Sequence, residues 1–354
     1  MRIARPAAIA AITTLALAGC SQTANPATPS GSPAPTTKDT EVTVVTHDSF
    51  AMPDAVVTQF EQQTGIKVTF VAPGDAGTVT NQLILTKNAP IGDVAYGVDN
   101  TFASRALNEG VFADYTSSVP AAADAAKYAV DGSNALTAVD YSDVCLNYDI
   151  GYFTKHHLAV PQTLDDLLKP AYKGLLSVEN PATSSTGLSF LLATISAKGD
   201  GWQEYWTKLA ANDLRVTASW SDTYYTDFSA PNYGGSYPLV LSYASSPPDE
   251  VIKGKPTTAA LLDTCFRQIE YVGVLKGAKH PQAAQQVVDW MLSDSFQAAL
   301  PENMYVYPVS SSVSVPDGWL KYAPLSPHPW SLPASEIDAN RETWIKEWTA
   351  VVQP

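Results

Sequence analysis

The sequence predicts an α/β protein built as two lobes, and three observations carry that. The chain has 354 residues, 45% of them hydrophobic and 16% charged, which is enough to bury a large core and more than one lobe needs. Short β-rich runs alternate along it with stretches of helical periodicity, the grammar of parallel sheets covered by helices. There is no internal repeat, and beyond the first twenty residues no apolar segment is long enough to span a bilayer.

The first series opens with a strand over 42–45. A helix follows from about residue 55, with Val56, Val57 and Phe60 on one face and Gly65 as its stop. A strand over 67–71, a helix over 78–87 with Val79 and Leu83 aligned, and a strand over 93–98 complete a βαβαβ unit. The second series starts with a strand at 144–146 and continues with a helix at 163–168, a strand at 175–178, helices at 186–197 and 203–211, and strands at 214–217 and 239–243. A further strand covers 269–275, and Pro281 opens a helix that carries Ala284, Val287, Val288 and Met291. The last helix, 335–351, sets Ile337, Arg341, Trp344, Ile345 and Trp348 at three-to-four spacing, a stripe that makes Trp344 and Trp348 core-packing residues.

Charge narrows the function. Lys and Arg number 21 against 35 Asp and Glu, a formal charge of −14, and no Lys/Arg-rich run occurs. Nucleic-acid binding through counterion release and docking on anionic lipid through a basic patch are both excluded as expectations. Three cysteines, none in a CxxC pair, leave no zinc ribbon or redox CxxC.

The N-terminus reads as an address. Arg2 and Arg5 precede an apolar stretch over 7–18 that ends in Leu17-Ala18-Gly19-Cys20. This resembles a bacterial lipobox, which implies a lipoprotein signal peptide over 1–19, cleavage before Cys20, and acylation of its thiol and new amino group. Residues 20–40 hold Pro26, Pro29, Pro33 and Pro35 among Ser, Thr, Ala and Gly, and read as a lipid-anchored, solvated tether. Losing Arg2 and Arg5 takes the charge of the body from −14 to −16. The compartment outside the membrane is oxidising, and Cys145 and Cys265 are the two cysteines that remain, so a disulfide between them is expected.

Six motifs in order resemble the extracytoplasmic solute-binding proteins of ABC importers, in their thiamine-binding branch. They are Val44-Val45-Thr46-His47-Asp48-Ser49-Phe50, Gly97-Val98-Asp99-Asn100, Asn180-Pro181-Ala182-Thr183-Ser184-Ser185-Thr186-Gly187-Leu188, Ser219-Trp220-Ser221, Leu239-Val240-Leu241-Ser242-Tyr243-Ala244-Ser245-Ser246-Pro247 and Tyr307-Pro308-Val309. The resemblance implies a two-lobed type II periplasmic-binding-protein (Venus-flytrap) fold, each lobe a mostly parallel sheet flanked by helices. Lobe I then covers about 41–140 plus 268–354 and lobe II about 141–267, joined by short extended crossovers near 140 and 267. It also implies a monomer that is no enzyme, takes thiamine or a thiamine phosphate as ligand, serves an ABC permease, and needs neither cofactor nor metal.

Thiamine carries a permanent thiazolium charge, an aminopyrimidine edge and a hydroxyethyl tail, so its site needs aromatic faces, a carboxylate and donors to the tail. Trp220 and Tyr243 occupy family positions at the cleft, although Tyr243, ending an apolar strand, also reads as plain core. Asp48 and Asp99 follow predicted strands, where ligands of open α/β sheets gather, and read equally as turn-capping aspartates. Ser184, Ser185 and Thr186 stand at a helix start suited to a hydroxyl or phosphate tail, or as N-caps. His47 replaces the family's tyrosine before Asp-Ser-Phe, and Asp249 replaces another stacking tyrosine. Tyr224, Tyr225, Tyr233 and Tyr237 are placed to compensate, and Tyr305, just ahead of Tyr307, completes the implied ligand set.

Two rival readings start from the same residues. A ferric-ion carrier of the superfamily would use His47, Asp48, Tyr224 and Tyr225. A thiaminase-like enzyme would need Cys145 or Cys265 as nucleophile.

Overall fold

The computed structural model describes residues 40–353 except 131 and 133; the signal peptide, Cys20 and the tether as far as residue 39 lie outside the described residues. The chain begins with β1 (Thr40–Val45), α1 (Asp54–Thr64), β2 (Ile66–Val71), α2 (Ala76–Leu85), β3 (Val94–Asp99) and α3 (Ala103–Asn108). It continues with the short β4 (Phe112–Ala113) and α4 (Ala122–Ala125), the long β5 (Thr137–Asp149), α5 (Ile150–Lys155), β6 (Leu176–Glu179), α6 (Ser185–Lys198) and α7 (Trp202–Ala211). Strands β7 (Arg215–Thr217) and β8 (Leu239–Tyr243) follow, then the small β9 (Val251–Ile252) and β10 (Lys255–Pro256) and the long β11 (Thr258–Leu275). The chain closes with α8 (Pro281–Met291), α9 (Asp294–Met304), β12 (Tyr307–Pro308), α10 (Trp319–Tyr322) and α11 (Ala334–Val352).

The main sheet runs β2-β1-β3-β11-β5-β8-β6-β7. At one end β2 and β3 pair parallel with β1, and at the other β7 and β8 pair parallel with β6. Between these parallel triplets β11 and β5 run antiparallel to each other and to their outer neighbours. Helices α1, α2 and α8 pack on the first triplet, and α6 lies against β5, β6, β8 and β11. This is the predicted α/β class, with one continuous sheet that carries a parallel triplet at each end and is flanked by helices.

Local chemistry sets the element ends. Gly65 closes α1 in the left-handed region at φ 73°, donating its N–H to the Glu61 carbonyl. Asp75 caps α2 and Ser184 caps α6, each accepting from a backbone N–H of the first turn. Helix α6 is buried from Ser185 to Ile195, so it has no polar face to show. Trp348 is fully buried and meets Trp206 edge-on at 5.5 Å, while Trp344 packs partly buried at the margin.

The segments joining the lobes differ from expectation. Instead of short crossovers, β5 has 13 residues and β11 has 18, paired along most of their length. Polar residues hid them in the sequence, because a strand containing Asp140, Ser142, Asp143, Arg267, Gln268 and Glu270 lacks apolar alternation. Those groups find partners far away in sequence: Arg267 lies in register with Asp143 and forms a two-pronged ion pair with it. The helix expected at 163–168 is a short 3₁₀ turn over Leu164–Leu168, closed by a Thr163–Asp166 capping box. Cys145 on β5 and Cys265 on β11 form a buried disulfide with Cα atoms 4.2 Å apart, beside the register shift between Leu261 and Phe266.

Candidate ligand-binding site

Strand ends and one helix end converge on a small cavity. His47 and Ser49 come from the turn after β1, Trp220 and Tyr225 from the segment after β7, Tyr243 from the end of β8, Glu270 from β11, and Asn303, Met304 and Tyr305 from the end of α9. The space they enclose is about 10 Å³, room for about one water. A heterocycle can enter only if these walls part.

The aromatic wall is layered. Trp220 stacks on Tyr224 with centroids 4.9 Å apart and planes 12° from parallel, and meets Tyr225 edge-on at 5.1 Å. Tyr243 and Tyr305 approach it at 6.0 and 6.1 Å. The indole N–H donates to Ser242 Oγ at 2.9 Å, and the Trp220 backbone N–H donates to Asp75 Oδ2 at 2.9 Å, so ring and backbone are both anchored. Tyr305 holds a left-handed backbone at φ 55°, a strained conformation for a tyrosine, and its carbonyl accepts from Ser245 Oγ.

Behind the wall lies a layer of carboxyl groups. Asp75 also receives a hydrogen bond from Ser184, and burial pushes its pKa up to about 6 against the effect of these donors. Tyr96 donates to Asp140 Oδ2 at 2.6 Å and lies 3.2 Å from Glu270 Oε2. Burial holds both carboxyls of the Asp140–Glu270 pair above their usual range, and their mutual repulsion raises Glu270 further. His47 Nδ1 bonds Ser49 Oγ at 2.8 Å while Nε2 lies 3.4 Å from Glu270 Oε1. Burial of the imidazole takes the His47 pKa down to about 4. Gly97 makes room for that ring, since a Cβ there would come 2.3 Å from His47 Cδ2.

Of the sequence-predicted residues, His47, Trp220, Tyr243 and Tyr305 line the cavity together. Tyr224 is buried beneath Trp220 and supports the wall. Asp48 is exposed at the rim, hydrogen-bonded to Ser219, with its pKa raised by partial burial and by Asp222. Asp249 stands outside the lining and accepts from Tyr233, whose ring packs on Tyr225. Asp99 is spent on its own turn: Oδ1 accepts from Thr101 and from the Phe102 N–H, and Oδ2 from Gln268. Gln268 also donates to Ser185, Ser184 caps α6, and Thr186 donates to the buried Glu179. The tyrosine-rich segment contributes Tyr225 to the lining, not Tyr237. Asp75, Glu179, Tyr96, Asp140 and Glu270 escaped the sequence reading. A lone acid inside an apolar run, as in Ile269-Glu270-Tyr271-Val272, was the available signal for Glu270.

Among the described residues no group of three or more His, Cys, Asp or Glu side chains is arranged to hold a metal ion. Cys145 and Cys265, the nucleophiles a thiaminase-like enzyme would need, are joined to each other. No described helix is long and apolar enough to cross a membrane.

A two-lobed α/β protein whose strand ends converge on an aromatic and acidic cavity is a solute-binding protein of the type II periplasmic class. The chain belongs to the bacterial extracellular solute-binding protein family, whose sequence profile matches residues 89–331. It is similar to the thiamine-binding periplasmic protein of Escherichia coli (strain K12), with 31% identity over 323 residues that cover 88% of this chain and 93% of that protein. The thiamine-binding periplasmic protein of Brucella suis biovar 1 (strain 1330) is 29% identical over 335 residues, covering 90% and 93%. A solved periplasmic thiamin binding protein superposes with a TM-score of 0.77 at 29% identity, over 89% of this chain and 96% of that one.

Proposed function

We propose that this chain is the solute-binding component of an ABC importer, capturing thiamine or a thiamine phosphate in the cavity walled by Trp220, Tyr225, Tyr243 and Tyr305 and delivering it to a permease in the membrane. In this reading Cys20 is acylated, the tether over 20–40 holds the body outside the cell membrane, and residues 41–140 plus 268–354 close against 141–267. The observation that carries it is the composition of the wall: among the described residues it has the Trp220, Tyr225, Tyr243 and Tyr305 rings, one carboxyl group and no Lys or Arg. Such a wall suits a flat cationic heterocycle, since each ring face contributes about 0.5–2 kcal/mol to a cation. Relatives named for thiamine support the same ligand. Closure needs a hinge, and β5 and β11 are the elements that pass between the two parallel triplets.

Differential scanning fluorimetry with thiamine, its mono- and diphosphate, and ferric citrate tests the proposal. A ligand at a hundred times its dissociation constant stabilises by about 2.7 kcal/mol, a readable shift. Stabilisation by a thiamine form is the expected result; a shift with ferric citrate alone would overturn the reading in favour of iron.

A further inference from the structure

Among the described residues, Glu270 is the single carboxyl group on the cavity wall. It faces His47 from the turn after β1, Tyr96 and Asp99 from β3, Asp140 from β5 and Tyr243 from β8. Asp140 is its register partner across β5 and β11, and the two carboxyls meet at the Tyr96 hydroxyl, 2.6 Å from Asp140 Oδ2 and 3.2 Å from Glu270 Oε2. Two buried carboxyls that meet at one hydroxyl share a proton, because two ionised carboxylates there repel. Both are buried, with Asp140 behind Glu270, and no Lys or Arg is among the groups that face them. The His47 imidazole, whose burial favours its neutral form, lies 3.4 Å from Glu270 Oε1.

Building on the thiamine reading, we propose that Glu270 is the specificity-determining counter-charge for the bound cation and becomes ionised on binding, releasing to solvent the proton it shares with Asp140. The ligand's positive charge is fixed, so the exchange balances: one cation enters, the carboxylic O–H bond breaks, and one proton leaves to the buffer. A neutral isostere of the ligand gains nothing from this exchange, which makes the site selective for charge as well as shape. The free pair carries one proton and one charge, and the second charge appears only when the cation arrives to offset it. Tyr96, donating to Asp140 with its hydroxyl 3.2 Å from Glu270 Oε2, keeps the two carboxyls together beside the cavity.

Isothermal titration of the intact protein with thiamine at pH 7, in two buffers of different ionisation enthalpy, reads the proton directly. About one proton should be released per thiamine, and affinity should rise by up to about tenfold per pH unit while the pair remains protonated. In E270Q the release should vanish and the affinity become both weaker and flat with pH. In D140N, where the repelling acid is gone, release should fall while binding at pH 6 tightens, which a merely structural lesion would not produce. Thiamine binding without proton release in the wild type, or release that persists in E270Q, would overturn the proposal and leave the thiamine reading intact. Failure of every thiamine form to bind would defeat both.

Discussion

Replacing Cys145 and Cys265 together with Ala removes a link between the two strands that join the lobes. The residues are 120 positions apart, so in the chain-entropy treatment the cross-link takes about 5 kcal/mol of conformational freedom from the unfolded chain. Little of that is offset in the folded state: both sulfurs are buried, and β5 and β11 pair on either side of the link whether or not it is present. At about 2 °C per kcal/mol for a protein of this size, the double variant should melt about 10 °C below the wild type, and reductant should lower the wild type by a similar amount. Calorimetry supplies the melting temperatures, and peptide mapping after alkylation without reductant supplies the state of the thiols. If Cys145 and Cys265 both label, the link does not exist. If they do not label and the variant still melts within about 2 °C, the unfolded chain was never free enough for loop entropy to matter, and the reasoning fails on its reference state.

The fold was legible wherever a strand or helix carried its own pattern. Strands β3 and β8 are short apolar runs buried on both faces, β1 buries Val42, Val44 and Val45, and α11 shows its stripe directly, so each lies within two residues of its expected place. Strands β5 and β11 were read as fragments because their polar residues find partners only after the chain has crossed from one lobe to the other. Arg267 needs Asp143, and Glu270 needs Asp140, each more than a hundred residues away. The aromatic side of the site was legible for a similar reason of locality: Trp220 and Tyr243 sit in short recognisable motifs. The acidic side was not, since a glutamate inside an apolar strand looks like an error in the pattern until its register partner is known. Asp75 went unread because a turn aspartate before a helix reads as an N-cap. It is one, and it also binds the Trp220 backbone from across the chain.

Truncating Trp220 to Ala should cost about 3–5 kcal/mol of stability in urea denaturation, since the ring is buried and stacked, and should weaken thiamine by about 1–3 kcal/mol by titration. Unchanged affinity among folded molecules would remove Trp220 from the site and move the ligand toward Tyr225 and Tyr305. Thiamine should bind at least about tenfold more tightly than its diphosphate, because no Lys or Arg lines the cavity and Asp75 and Glu179 stand at the start of α6, where a phosphate would otherwise be received; equal affinities in competition binding would show that a basic side chain reaches the tail. His47 supplies the pH dependence of stability. Its pKa falls from 6.5 to about 4 on folding, so the folded protein binds fewer protons there, and the stability it contributes is complete above 6.5 and lost as the pH drops toward 4. Asp75 and Asp99, each raised to about 6, act in the opposite sense and lose stability as the pH climbs through the same window, so the wild-type profile is a compromise between them. H47Q removes one side of that compromise. Between pH 7 and 4.5 it should lose about 2–3 kcal/mol less than the wild type in denaturant titrations. Parallel profiles for the two proteins would mean that folding leaves the imidazole pKa near 6.5, and a wild type that loses less than H47Q as the pH falls would mean that Glu270 meets a charged imidazole as a carboxylate.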